Sequence, residues 1–172
     1  MASLVENLVE TLNSENSEYQ QLLELSQGKT TVIINGDLDR LQAITDKEQV
    51  LVEHINSLEK RRISIMSDVA KILNTDVNGL KLDTLISLLS KAPKDQKALA
   101  EVHDKLRVTL REMKLINERN EQLLNSAIEM VDFNLNLIQA MKGAPETANY
   151  NKGAYNTGSM LLNSPGNFDA KQ

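Results

Sequence analysis

The chain has 172 residues, a formal net charge of −5, 3% aromatic residues, seven glycines, three prolines and no cysteine. So few turn-forming and aromatic residues exclude a β-sandwich or barrel, and the missing cysteines exclude disulfide scaffolds, thiol catalysis and thiolate metal sites. The acidic balance disfavours nucleic acid, whose phosphates need a concentrated basic face, and no apolar run approaches the roughly 20 residues of a membrane span.

The first predicted helix covers about residues 3–34. Val5, Leu8, Leu12, Tyr19, Leu22 and Ile33 recur in steps of three and four, the spacing of an amphipathic helix with one buried face. Glu15, Ser26 and Lys29 interrupt that face, and Gly28 costs about 1 kcal/mol of helix propensity, so the helix is expected to be continuous but looser there. Asn35-Gly36-Asp37 then reads as a stop: Asn or Gly takes the left-handed conformation that ends a helix, and Asp37 caps the next. A turn this short makes the flanking helices antiparallel neighbours.

The second helix, about 38–73, has the cleanest seam: Leu41, Ile44, Glu48, Leu51, Ile55, Leu58, Arg62, Ile65, Val69 and Ile72. Its two charged members either snorkel to the seam edge or form a buried polar layer that fixes register, and the cost of burying charge favours the first reading. Antiparallel pairing about Gly36 makes Lys29 the expected partner of Glu48 and Glu10 that of Arg62. A short apolar helix within 80–91 follows, expected to cap one end of the bundle by landing on Val108 and Leu115.

The last helix, about 95–142, organises the chain and spans roughly 70 Å at 1.5 Å per residue. Leu99, Leu106, Met113 and Ala127 form one row, Leu110, Leu124, Val131 and Ile138 its partner, and Val102, Ile116, Leu123, Met130 and Leu137 a third. From Leu124 to Met141 the apolar residues, Leu124, Ile128, Met130, Phe133, Leu137 and Met141 among them, spread over an arc of roughly 220°. A bundle helix needs an apolar stripe of only about 100° or somewhat more. The excess reads as a surface for an amphipathic partner helix or for another copy of the chain. Residues 143–172 are low in complexity, rich in Asn, Gly, Ser and Ala, and cannot offset the entropy of ordering themselves. Tyr150, Tyr155, Leu161, Leu162 and Phe168 nevertheless supply contact anchors, so this flexible tail reads as a partner-binding segment rather than a spacer.

The predicted fold is therefore all-α: an elongated antiparallel bundle of three long helices and one short one, residues 1–142, with a C-terminal tail. Catalytic chemistry is not legible. His54 and His103 stand alone, without the Glu-x-x-His pairs of di-metal bundles or a Ser–Asp constellation, and no Gly-rich loop cradles a phosphate. No enzyme activity, metal or cofactor is expected, and the expected location is cytoplasmic.

The order of several motifs resembles the FlgN-type flagellar export chaperones. The leucine-rich first helix leads through Lys29 to Ile33-Ile34-Asn35-Gly36-Asp37-Leu38-Asp39-Arg40-Leu41; Glu48 is followed two heptads later by Arg62, after Leu58-Glu59. Asn120-Glu121-Gln122-Leu123-Leu124 is similar to the family's Asn-x-x-Leu, and Tyr150, Tyr155, Gly158 and Phe168-Asp169-Ala170-Lys171 resemble tails of Gram-positive members. The resemblance implies a chaperone that binds and masks a terminal helix of hook–filament junction proteins, held by the end of the last helix and the tail, and that contacts the flagellar export machinery. It implies no catalytic residue. From charge and hydropathy no nucleic acid and no membrane insertion are expected, and the chain is expected as a monomer or weak homo-oligomer. The competing expectation is a structural coiled-coil adaptor that homo-oligomerises through the same apolar excess.

Overall fold

The computed structural model describes residues 2–76 and 80–143, and these are helical apart from short connections, with no strand among them. Two compact units divide the chain, Met1–Met130 and Val131–Gln172. Helices α1 (Ala2–Asn35), α2 (Leu38–Leu73) and α3 (Leu82–Leu88), the last continued by a 3-10 turn (Leu89–Lys91), lie in the first. Helix α4 runs from Pro93 to Gly143 and contributes to the first unit as far as Met130. Pro93 suits the start of a helix, where its missing N–H has no partner to lose.

The helix ends are set by local chemistry. Gly36 adopts φ +65°; its N–H donates to the Ile33 carbonyl at 3.1 Å and that of Asp37 to Val32 at 3.2 Å, a Schellman closure. Asp37 then accepts the Arg40 N–H at 3.1 Å and opens α2. At the other end of α2, Asn74 takes φ 52°, and the N–H of Thr75 donates to the Ala70 carbonyl at 3.0 Å.

Within the first unit two apolar clusters lie along α1. Val5, Leu8 and Leu12 pack with Ile65, Val69 and Ala70 of α2, Leu85 and Leu89 of the short segment, and Leu99, Val102 and Leu106 of α4. Farther along, Leu22 and Leu23 meet Ile55 and Met113. Since α2 reverses at Gly36, it runs antiparallel to α1, while α4 runs parallel to α1.

Three expectations about apolar contacts change. The short segment does not land on Val108 and Leu115, which are 54% and 67% exposed. It turns Leu85 and Leu89 into the first cluster instead, and Gln96 ties it to α4 by donating to the Ile86 carbonyl at 2.9 Å. The seam of α4 keeps the Leu99 and Val102 rows but not the Leu110 row, for Leu110 is exposed; it runs Leu99, Val102, Leu106, Thr109, Met113, Ile116, Asn120 and Leu123, an unbroken alternation of three and four that contains two polar residues. Ile72 is likewise exposed, because the chain closes on Val69, Ala70 and Leu73 one row away.

Polar layers separate and flank the two clusters. Glu48 accepts from Lys29 at 2.6 Å and from the fully buried Ser26 at 3.1 Å. Arg62 donates to Glu15 at 3.1 Å and to Glu59 at 3.2 Å. Lys29 is thus the partner expected for Glu48, but Glu15 replaces Glu10, because Glu15 continues the row Val5, Leu8, Leu12 whereas Glu10 faces water. With both ion pairs half-buried or deeper, the two charged positions form register-setting layers rather than only snorkelling outward. Between α1 and α4, the Thr109 hydroxyl donates to Asn16 at 2.8 Å. Asn120 accepts from the Thr30 hydroxyl at 2.6 Å and donates to the Ser26 carbonyl at 2.7 Å.

Helix α1 is continuous through Gly28, and a Cβ added there would meet nothing within 4 Å. Glycine therefore contributes backbone entropy to the unfolded chain without serving any contact. Gly28→Ala is expected to stabilise the protein by about 0.5–1 kcal/mol, read as a higher urea midpoint at unchanged slope.

The Glu15 side chain is only 4% exposed. Burial pushes its carboxyl above its ordinary value of 4.5, and the attraction of Arg62 offsets this only in part. A raised folded-state pKa means that folding takes up protons just above that ordinary value. Its stabilising contribution is therefore full below pH 4.5 and is lost as pH rises through the folded pKa. Glu15→Gln, which keeps an acceptor for Arg62, should be more stable than the parent at pH 7. The gap should shrink as the pH falls toward 4, measured by urea unfolding across that range; a gap independent of pH would mean that burial does not govern this carboxyl.

Candidate partner-binding surface

The seam of α4 continues past its cover. In the first unit, Asn120 is held beside Thr30 and Ser26, and α1 ends at Asn35, little more than one turn beyond Thr30. Leu123 and Leu124 are accordingly half-buried, whereas Ile128 and Met130 are exposed. Every residue from Asn125 to Lys142 is exposed.

The described part of the second unit, residues 131–143, is the end of α4. Its apolar side chains are all uncovered: Phe133 is 67% exposed and Met141 71%, with Val131, Leu135, Leu137 and Ile138 about half accessible. At 100° per residue these six span roughly 200° of the helix circumference, and Asp132, Asn136 and Gln139 occupy the remaining strip. Contiguous bare apolar surface of this kind is unfavourable in water.

Of the residues expected to bind a partner, Ile128, Met130, Phe133, Leu137 and Met141 are thus exposed, and Leu124 is half-buried against the bundle. Tyr150, Tyr155, Leu161, Leu162 and Phe168 lie outside the described residues. Val131, Leu135 and Ile138 also belong to the exposed set. They were not singled out because Val131 and Ile138 continue an apolar heptad row, and a row in sequence does not reveal where its covering helix stops.

Each histidine lies near a carboxylate of another helix. His54 approaches Glu18 at 3.6 Å, and His103 lies 3.7 Å from each of Asp83 and Asp104. Among the described residues no group of three or more His, Asp or Glu side chains could hold a metal, and no helix is long and apolar enough to cross a membrane.

These features define an all-α helical-bundle protein. The model of the FlgN protein family matches residues 1–157, and the chain belongs to that family of flagellar export chaperones, which is not an enzyme family. A curated relative, the uncharacterized protein YvyG of Bacillus subtilis (strain 168), is 26% identical over 133 residues, covering 77% of this chain and 76% of the relative. No solved structure matches the chain.

If the end of α4 contributes nothing to the bundle, its largest side chain can be cut without cost to folding. Phe133→Ala is expected to change stability by no more than about 0.5 kcal/mol, whereas Leu12→Ala, at a fully buried position, should cost about 2–5 kcal/mol. Circular dichroism melts of the two variants make the comparison.

Proposed function

We propose that this flagellar export chaperone works in the cytoplasm and masks a terminal helix of hook–filament junction proteins before their export. The observation that carries the reading is the bare apolar arc on the last turns of α4. A client helix with its own apolar face would lie along Phe133, Leu137 and Met141, in the helix-in-groove manner of amphipathic partners. Ile128 and Met130 of the first unit are proposed as further contacts, with Leu124 at the margin. Methionine suits this role, since its unbranched, polarisable side chain adapts to more than one partner surface. Residues 143–172 are proposed as a partner-binding tail that closes over the client through Tyr150, Tyr155, Leu161, Leu162 and Phe168. The masked client would then be delivered to the export machinery.

Calorimetric titration of the terminal segment of a hook–filament junction protein into the full chain tests the proposal. A defined complex is expected, weakened by about 1–3 kcal/mol in Phe133→Ala, the scale of an aromatic anchor in an interface. Equal affinity in parent and variant would remove this face from the site. The same arc could instead be covered by a second copy of the chain, as in an adaptor; a stable dimer by solution mass that dissociates in Phe133→Ala and ignores the client would establish that outcome.

A further inference from the structure

A different surface of the first unit has the chemistry of a second docking site. An open groove of about 570 Å³ lies between Arg62 of α2 and the Arg107–Lys114 stretch of α4, with Tyr19 and Glu15 of α1 among its lining. A neighbouring groove of about 520 Å³, reaching Ile63, Met66 and Leu80, shares Arg62, Leu82, Asp83 and His103 with it, so the two adjoin and are treated together as a channel. In a bundle of three long helices, this is the place that a fourth would occupy; α3 is only seven residues long and fills one end.

The channel has an apolar floor and a basic edge along α4, with Asp83 exposed at the end formed by α3, where it lies 3.7 Å from His103. Tyr19 and Leu82 are half-buried, Leu106 is buried, and Leu110, which the seam of α4 does not use, is exposed. Arg107, Arg111 and Lys114 stand at i, i+4 and i+7, hence along one edge of α4. Arg62, across from them, is already neutralised by Glu15 and Glu59, and Lys114 pairs with the exposed Glu118 at 3.8 Å. Arg107 and Arg111 make no ion pair among the described residues. Two unpaired guanidinium groups beside an apolar floor, in a chain of net charge −5, select for carboxylates flanking an apolar stripe.

We propose that this channel receives an acidic amphipathic helix of another protein, with its apolar face on Tyr19, Leu106 and Leu110 and its carboxylates on Arg107 and Arg111. The chain's own residues 144–172 are a poor match, because Glu146 and Asp169 are balanced by Lys152 and Lys171. A nucleic-acid backbone would leave the apolar floor unused. None of the channel's residues belongs to the client surface proposed above, so the two proposals stand or fall separately.

The test uses the full chain and a fluorescein-labelled synthetic helix with leucine on one face and glutamate on both flanks, read by fluorescence anisotropy. A lysine-flanked version and a scrambled acidic peptide of equal composition serve as comparisons. The leucine–glutamate helix should bind saturably, and R107E/R111E should weaken it by about tenfold or more while gaining affinity for the lysine-flanked helix. Leu110→Gln should weaken the acidic helix as well, whereas Gln42→Ala, at an exposed position of α2 outside the channel, should leave it unchanged. Melting curves establish that the variants fold, and R107Q/R111Q replaces the reversal should that variant not fold. Unchanged affinity in the arginine variants, or equal binding of the scrambled peptide, overturns the proposal. So does self-association of the parent that R107E/R111E abolishes, which assigns the channel to a second copy, or arginine-dependent binding to phosphatidylglycerol vesicles without binding of the acidic helix, which assigns it to lipid.

Discussion

The hydrogen bonds that join Asn120 to Thr30 and to the Ser26 carbonyl fix where the bundle's cover over α4 stops. Each of these groups is buried, and an unpaired buried polar group costs about 1–3 kcal/mol. Apolar packing between heptad seams is tolerant of sliding by a heptad, because leucine and methionine accept one another's places. Polar pairs are not tolerant in this way. Asn16 with Thr109 and Asn120 with Thr30 set the axial position of α4 on α1 at two levels, and Glu48 with Lys29 and Arg62 with Glu15 do the same for α2. Glu15 shows that this specification has a cost: burial raises its pKa despite an arginine in hydrogen-bonding distance.

The number and kind of helices were legible because three-and-four spacing persists over long stretches, and because Gly36 and Asp37 carry the chemistry of a stop followed by a start. Register was legible only to within a turn. A mirror count about Gly36 falls on position 24 for Glu48 and position 10 for Arg62, about a turn short of the true partners Lys29 and Glu15 in both cases. Opposite charge picks out Lys29, but only the row that Glu15 shares with Leu8 and Leu12 separates it from Glu10. The seam of α4 was legible in its Leu99 and Val102 rows but not in full, for a related reason. Thr109 and Asn120 occupy seam positions, so apolar rows alone leave them out and add the Leu110 row in their place. Their burial is explained by hydrogen bonds to α1, and hydropathy carries no record of those.

The same limitation applies to the exposed arc. After Leu123 the three-and-four alternation continues in sequence through Ala127, Met130, Asn134, Leu137 and Met141. Nothing in that pattern separates a covered seam from an uncovered one. What did carry information was width: apolar residues on more than half the circumference cannot all face one neighbour. Width identified Phe133 and Leu137, while tertiary register was needed to add Val131 and Ile138.

Bare apolar surface next to a bundle has an obvious way to hide, which is for α4 to slide along α1. Advancing by one heptad would bring Ala127 to the level of Thr30 and draw Met130 under cover. It would also set Asn120 beside Leu23 and leave Thr30, Asn16 and Thr109 without their present partners. The apolar gain is the burial of about one methionine, roughly 1.5–3 kcal/mol. The loss is the desolvation of several buried polar groups at about 1–3 kcal/mol each. The polar layers therefore outweigh the gain. Residues that weaken the α1–α4 seam by the measure of hydropathy are those that hold α4 at this level on α1.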